Sequence, residues 1–179
     1  MERIDVLGMS FHRVTMEQAL AEVGRFISVD KPHLIVTANP ETVMLARGDQ
    51  LLAEIVSRAD LVVADGIGVV WAGGVLGSGL PERIPGIELS EGILALAAQE
   101  GWPVFLLGGK EGVAEQAKAA LLSRFSGLRV VGTHHGYFGA GPEEEALITR
   151  IEACRPKVLL AALGVPRQEK WLAARLAVL

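Results

Sequence analysis

The chain has 179 residues, half of them hydrophobic, which is enough to fill one sizeable core, so a single domain over residues 1–179 is expected. Seventeen Lys and Arg against 21 Asp and Glu leave a net charge of −4, which removes any whole-domain electrostatic basis for binding nucleic acid. The single cysteine, Cys154, excludes an internal disulfide and fits a reducing cytoplasmic compartment.

Glu2, Arg3 and Asp5 occupy the place where a signal peptide would carry its apolar core, so export is not expected. No apolar run approaches the ~18 residues needed to cross a bilayer; even Val158 to Val165 is short and interrupted by Gly164.

In chain order, a helical pattern over 15–28 opens with Thr15 and Gln18 at capping-box spacing. A strand at Leu34–Thr37 is followed by helical periodicity over 40–57 with a break near Gly48, and Asn39-Pro40 marks its start. Leu61–Ala64 reads as a second strand and 68–76 as a helix. Residues 77–89 hold too many Gly and Pro for a regular element and read as a long loop.

Beyond it, the spacing predicts a helix over 90–100, a strand at Val104–Leu107 and a helix over 110–125. A strand at 128–133, a helix over 142–154, a strand at Val158–Leu163 and a helix from 166 onward complete the pattern. Pro142 and Pro166 suit first-turn positions. Continuous apolar strands alternating with helices imply a mainly parallel sheet covered on both faces, an α/β Rossmann-like three-layer sandwich.

Ligands of such sheets bind beyond the carboxyl ends of the strands, so the residues just after each strand carry the chemistry. Thr37-Ala38-Asn39-Pro40-Glu41 offers a hydroxyl and an amide beside a helix start, and Asn39 suits a cap or a ligand contact equally. Asp65, at the glycine-rich bend Ala64-Asp65-Gly66-Ile67-Gly68, suits a general base or a cap of the next helix.

Gly108-Gly109-Lys110-Glu111-Gly112 suits phosphate or ribose against backbone amides, yet departs from the dinucleotide and P-loop fingerprints, and a tight turn explains these glycines as well. In Thr133-His134-His135-Gly136-Tyr137-Phe138, Tyr137 can pack on a base. Adjacent histidines in a strand project to opposite faces, so no metal site is expected. Arg83 offers a fixed fork of donors, and Gly164-Val165-Pro166-Arg167-Gln168-Glu169-Lys170-Trp171 brings a cation, an amide and a carboxylate to a helix start, with Trp171 read as core.

Five segments in register, Thr37 to Glu41, Ala64 to Val69, Arg83-Ile84-Pro85-Gly86, Leu107-Gly108-Gly109 and Gly164 to Trp171, resemble the WecG/TagA/CpsF glycosyltransferase family over nearly the whole chain, closest to its TagA type. The resemblance implies an inverting, metal-independent and cofactor-free transfer from a UDP-sugar donor to a polyprenyl-diphosphate-linked sugar acceptor. The site would lie at the cytoplasmic face of the membrane. For the TagA type the donor sugar is N-acetylmannosamine, the acceptor carries N-acetylglucosamine on undecaprenyl diphosphate, and the product serves wall teichoic acid.

By the same resemblance Asp65 is the general base, Thr37, Asn39 and Arg83 place substrates, and Gly108, Gly109, Tyr137, Gly164, Arg167 and Gln168 hold the uridine diphosphate. Glu88 stands where the family pattern carries aspartate. Family members continue into a basic, amphipathic C-terminal segment that reaches the membrane. A chain ending at residue 179 is therefore expected to lack that contact, to turn over poorly, and to self-associate through uncovered apolar surface. Two rival expectations are another donor in the same family, such as UDP-N-acetylmannosaminuronic acid, and an NAD-dependent oxidoreductase on the same fold class.

Overall fold

The computed structural model describes residues 1–29, 31–77 and 79–179. Two compact units divide the chain, the first from Met1–Leu89 with Val165–Leu176, the second from Ser90–Gly164 with Ala177–Leu179.

The first unit opens with an antiparallel hairpin, β1 (Arg3–Val6) and β2 (Met9–His12), in register Val6 to Met9. Its two turn residues, Leu7 and Gly8, both have positive φ, as tight hairpin turns require. α1 (Met16–Ser28) follows with the expected reciprocal cap between Thr15 and Gln18. β3 (Ile35–Ala38), α2 (Pro40–Gly48), α3 (Gln50–Arg58), β4 (Leu61–Ala64) and α4 (Ile67–Val75) come next, and β3 pairs with β4 in parallel. All four residues of β4 are buried, the signature of a strand covered on both faces.

Phe11, Leu52, Val56 and Val62 are among the fully buried side chains of this core. Sequestering each contributes about 2 kcal/mol. His12 is buried with them, and its Nδ1 accepts the Val62 N–H at 2.9 Å. Burial, aided by the Arg3 guanidinium, pulls its pKa below the ordinary 6.5.

α5 (Gly86–Glu100) runs from the last residues of the first unit into the second. There β5 (Pro103–Gly108), α6 (Val113–Arg124), β6 (Arg129–His134), α7 (Pro142–Cys154) and β7 (Val158–Ala162) form an all-parallel sheet in the order β6-β5-β7. Leu94, Ala97, Val104, Leu106, Ala114, Leu128 and Val130 make its core. The final helix, α8 (Arg167–Arg175), belongs to the first unit, where Leu172, Ala173 and Leu176 pack on the core cluster.

The α/β class and mainly parallel pairing agree with the sequence reading. Three local features differ. The β1–β2 hairpin was not expected, because Arg3, Asp5 and Ser10 break up its apolar residues. α5 begins at Gly86 and not at 90: the Leu89 N–H already reaches the Pro85 carbonyl at 2.9 Å, so the breaker-rich stretch shortens to the residues before Gly86. Ser78 within that stretch lies outside the described residues. β7 is only partly buried, being an end strand of its described sheet, where a covered strand was expected.

Candidate active site

β4 ends at Ala64, and the Asp65 N–H continues the pairing by donating to the Ala38 carbonyl at 2.9 Å. The Asp65 side chain does not cap the helix behind it. Gly66 is the residue at the N-cap of α4, which has no side-chain cap. Instead Asp65 Oδ2 accepts the Gly86 N–H at 2.9 Å, so a carboxylate from one strand end is fixed by the first backbone amide of α5. Its other oxygen has no hydrogen bond among the described residues.

Thr37 joins this cluster. A Cβ at Gly86 would stand 2.9 Å from Thr37 Oγ1 and 3.1 Å from Asp65 Oδ2, so both side chains close on the bare glycine backbone. Any side chain at this position would have to displace Thr37 Oγ1 or Asp65 Oδ2. Asp65 and Thr37 are both half-buried, open enough to meet a ligand.

Asn39 spends Oδ1 on its helix: it accepts the Thr42 N–H at 2.9 Å and the Thr42 hydroxyl at 3.0 Å, completing a capping box. Its amide nitrogen has no partner among the described residues. Of the two roles weighed for Asn39, the cap is the one the structure shows. Arg83 is exposed beside the buried pair Ile84 and Pro85, and the Ile84 N–H donates to the Ala64 carbonyl at 2.8 Å. That bond ties the Arg83 loop to the residue before Asp65.

In the first turn of α8, Arg167 is exposed, Gln168 half-buried and Trp171 buried, as core. Lys170 pairs with Asp49, the residue that caps α3 through the Leu52 N–H, and so anchors α8 to α3. Gly164, just ahead of the helix, has φ 81°, which glycine adopts without strain.

Glu169, the carboxylate of this helix start, is buried. Gln168 Nε2 donates to its Oε1 at 3.4 Å, while Oε2 is buried without a hydrogen bond among the described residues. Burial pushes its carboxyl above the ordinary carboxylate range. No periodic signal distinguishes an inward glutamate from its polar neighbours Gln168 and Lys170.

In the second unit the glycines answer first to packing. Gly108 (φ 143°) pairs with Ala162 of β7, and a Cβ there would sit 2.4 Å from the Ala162 carbonyl oxygen. Gly109 (φ 70°) faces Val113, and its N–H reaches the Ala162 carbonyl at 3.4 Å, while the Gly136 N–H donates to the Gly109 carbonyl at 2.8 Å. Beside this turn lies an open cleft of about 510 Å³ lined by Lys110, Glu111, His135, Tyr137 and Glu143. Tyr137 is exposed there and free to stack. The adjacent histidines do not project to opposite faces. β6 ends at His134, so His135 turns out of the strand and the two rings lie 4.4 Å apart.

Residues 4–179 match the family model described as the glycosyl transferase WecG/TagA/CpsF family. The chain is 38% identical over 172 residues to an N-acetylglucosaminyldiphosphoundecaprenol N-acetyl-beta-D-mannosaminyltransferase of Staphylococcus aureus strain MRSA252, covering 95% of this chain and 66% of that protein. The protein of the same description from strain NCTC 8325 / PS 47 is 37% identical over the same coverage. The chain thus spans just under two thirds of the length of these relatives.

Proposed function

Because the chain belongs to the WecG/TagA/CpsF glycosyltransferase family, we propose that it transfers N-acetylmannosamine from UDP-N-acetylmannosamine to N-acetylglucosamine on undecaprenyl diphosphate, in the linkage unit of wall teichoic acid. The transferred sugar and the acceptor follow the description of the staphylococcal relatives. The observation that carries the chemistry is the Asp65 carboxylate, held through Oδ2 by the Gly86 N–H with Oδ1 left over to accept a proton.

In the proposed step the acceptor hydroxyl attacks the anomeric carbon from the face opposite the leaving group. The new C–O bond forms as the bond to UDP breaks, the bonding pair departs with the diphosphate, and the hydroxyl proton passes to Asp65 Oδ1. The configuration inverts. A positioned base of this kind contributes about 10²–10⁴ in rate.

Thr37 and the Asn39 amide orient the sugars, and Arg83 and Arg167 offset the charge of the diphosphates. Gln168, oriented through Glu169, meets the nucleotide. Tyr137 stacks on the uracil, with Lys110 of the same cleft and the Gly108-Gly109-Gly164 backbone receiving the UDP. The reaction takes place at the inner face of the membrane that holds the acceptor lipid, and it requires no metal and no cofactor.

Calorimetric titration with UDP and separately with NAD, in buffer containing EDTA, tests the reading. Saturable heat with UDP and none with NAD supports it. Heat with NAD alone overturns it in favour of an oxidoreductase.

A further inference from the structure

The loop that carries Arg83 joins α4 to α5 and is tied down on both sides of that arginine, all within the first unit. Ahead of it, Arg13 Nε donates to the Gly79 carbonyl at 3.1 Å while Arg13 Nη1 donates to Glu2 Oε2 at 3.2 Å, and Leu80 is buried in the core. Behind it, Ile84 is buried and its N–H is spent on the Ala64 carbonyl. Between these anchors Glu82 Oε1 accepts the N–H of Met16, the first residue of α1. The Arg13–Gly79 and Met16–Glu82 bonds each span 66 residues, so the entry to α1 and the Arg83 loop lie side by side and run in the same direction.

The Met16 amide is one that α1 cannot satisfy by itself. The first four N–H groups of a helix have no carbonyl within it, and the positive end of the helix dipole favours an acid. Thr15 and Gln18 cap each other, and the Met16 N–H takes a carboxylate from the distant loop.

The consequence falls on Arg83. Glu82 is its neighbour in the chain, and a loose carboxylate there would be a ready partner for the guanidinium. That carboxylate is instead held on α1, and Arg83 is exposed, with no hydrogen bond or ion pair among the described residues. An arginine with its fork of donors unspent, on a backbone already fixed, gives up less freedom when an anion arrives.

We propose that Glu82 is a positioning residue for Arg83: docked on the start of α1, it holds the loop so that the guanidinium stands open to a diphosphate. This rests on the diphosphate role of Arg83 proposed above. Glu82 itself touches no substrate. Its effect on transfer passes through Arg83 alone.

Two substitutions that delete the same charge separate position from charge. Glu82→Gln keeps an oxygen for the Met16 N–H, and Glu82→Ala does not. Limited trypsin digestion, followed by mass spectrometry of the Arg83–Ile84 bond, reads the loop without any substrate. That bond should be cut about tenfold faster in Glu82→Ala than in Glu82→Gln. In UDP release from the sugar donor, Glu82→Ala should raise KM about tenfold, whereas Glu82→Gln stays within about twofold of wild type. Thr15→Ala weakens the same helix start without touching the loop and should also stay within about twofold. In an Arg83→Ala background, adding Glu82→Ala should change release by less than about twofold. Equal cutting of the two Glu82 variants, a KM rise as large in Thr15→Ala, or a full further loss in the Arg83→Ala background overturns the proposal. Digestion as expected in a chain that releases no UDP from the donor refutes the transfer reading, and with it the role given to Arg83, while the tether itself stands.

Discussion

Two clusters of small and polar residues, one in each unit, look alike as sequence, Ala64-Asp65-Gly66-Ile67-Gly68 after β4 and Gly108-Gly109-Lys110-Glu111-Gly112 after β5. In three dimensions they do different work. Around Asp65 the glycine clears space for polar side chains: Gly86 lets Thr37 and Asp65 close on a backbone amide. Around Gly108 the glycines clear space for backbone: the Ala162 carbonyl lies where a Cβ would be, and Gly136 bonds to Gly109. Gly86 makes room for polar side chains from two strand ends at the candidate site, whereas Gly108 makes room for strand packing.

Gly108→Ala should separate the two roles most sharply. A Cβ 2.4 Å from a backbone oxygen, at φ 143°, forces the β5 and β7 ends apart, so a loss of about 3 kcal/mol or more of unfolding free energy is expected in a urea titration. Gly86→Ala should instead spare the fold and damage the site. The added carbon must displace Thr37 Oγ1 or Asp65 Oδ2, and a rate loss of about 10–100-fold with a stability change of about 1 kcal/mol or less is expected from turnover and thermal melts. Equal damage to stability from both substitutions would erase the contrast.

Two smaller effects depend on pH. Glu169 has a folded-state pKa raised by burial, so between its ordinary and folded values the native chain binds more protons than the unfolded one. Stability from this group is present at low pH and lost as pH rises through the folded value. Glu169→Gln should flatten that decline in a series of unfolding titrations above pH 4.5. His12 has the opposite sign: its lowered folded pKa means stability is fully present above 6.5 and drains as pH falls toward the folded value. His12→Asn, which keeps an acceptor for the Val62 N–H, should remove that acid sensitivity, and an unchanged pH profile would show that the buried ring is not its source.

Most of the strands that sequence alone disclosed carry short apolar runs. β4 was expected at its observed bounds, and the Thr15 cap and the buried Trp171 were equally plain, because each depends on residues within a few positions of one another. What stayed hidden depends on distance along the chain. Asp65 and Gly86 are 21 residues apart, and no spacing rule joins a strand end to the amide of a helix that Pro85 and Gly86 disguise as loop. The β1–β2 hairpin was hidden by Arg3, Asp5 and Ser10 on its open positions, and Glu169 by polar neighbours that do not share its burial.

The most direct test of the proposed chemistry is Asp65→Asn, assayed in parallel for UDP release from the sugar donor in the presence of acceptor and for UDP affinity. Asparagine keeps an oxygen for the Gly86 N–H but cannot take a proton, so release should fall about 10²–10⁴-fold while UDP affinity stays within about threefold. Release at the wild-type rate with unchanged affinity would contradict the role of Asp65 as base.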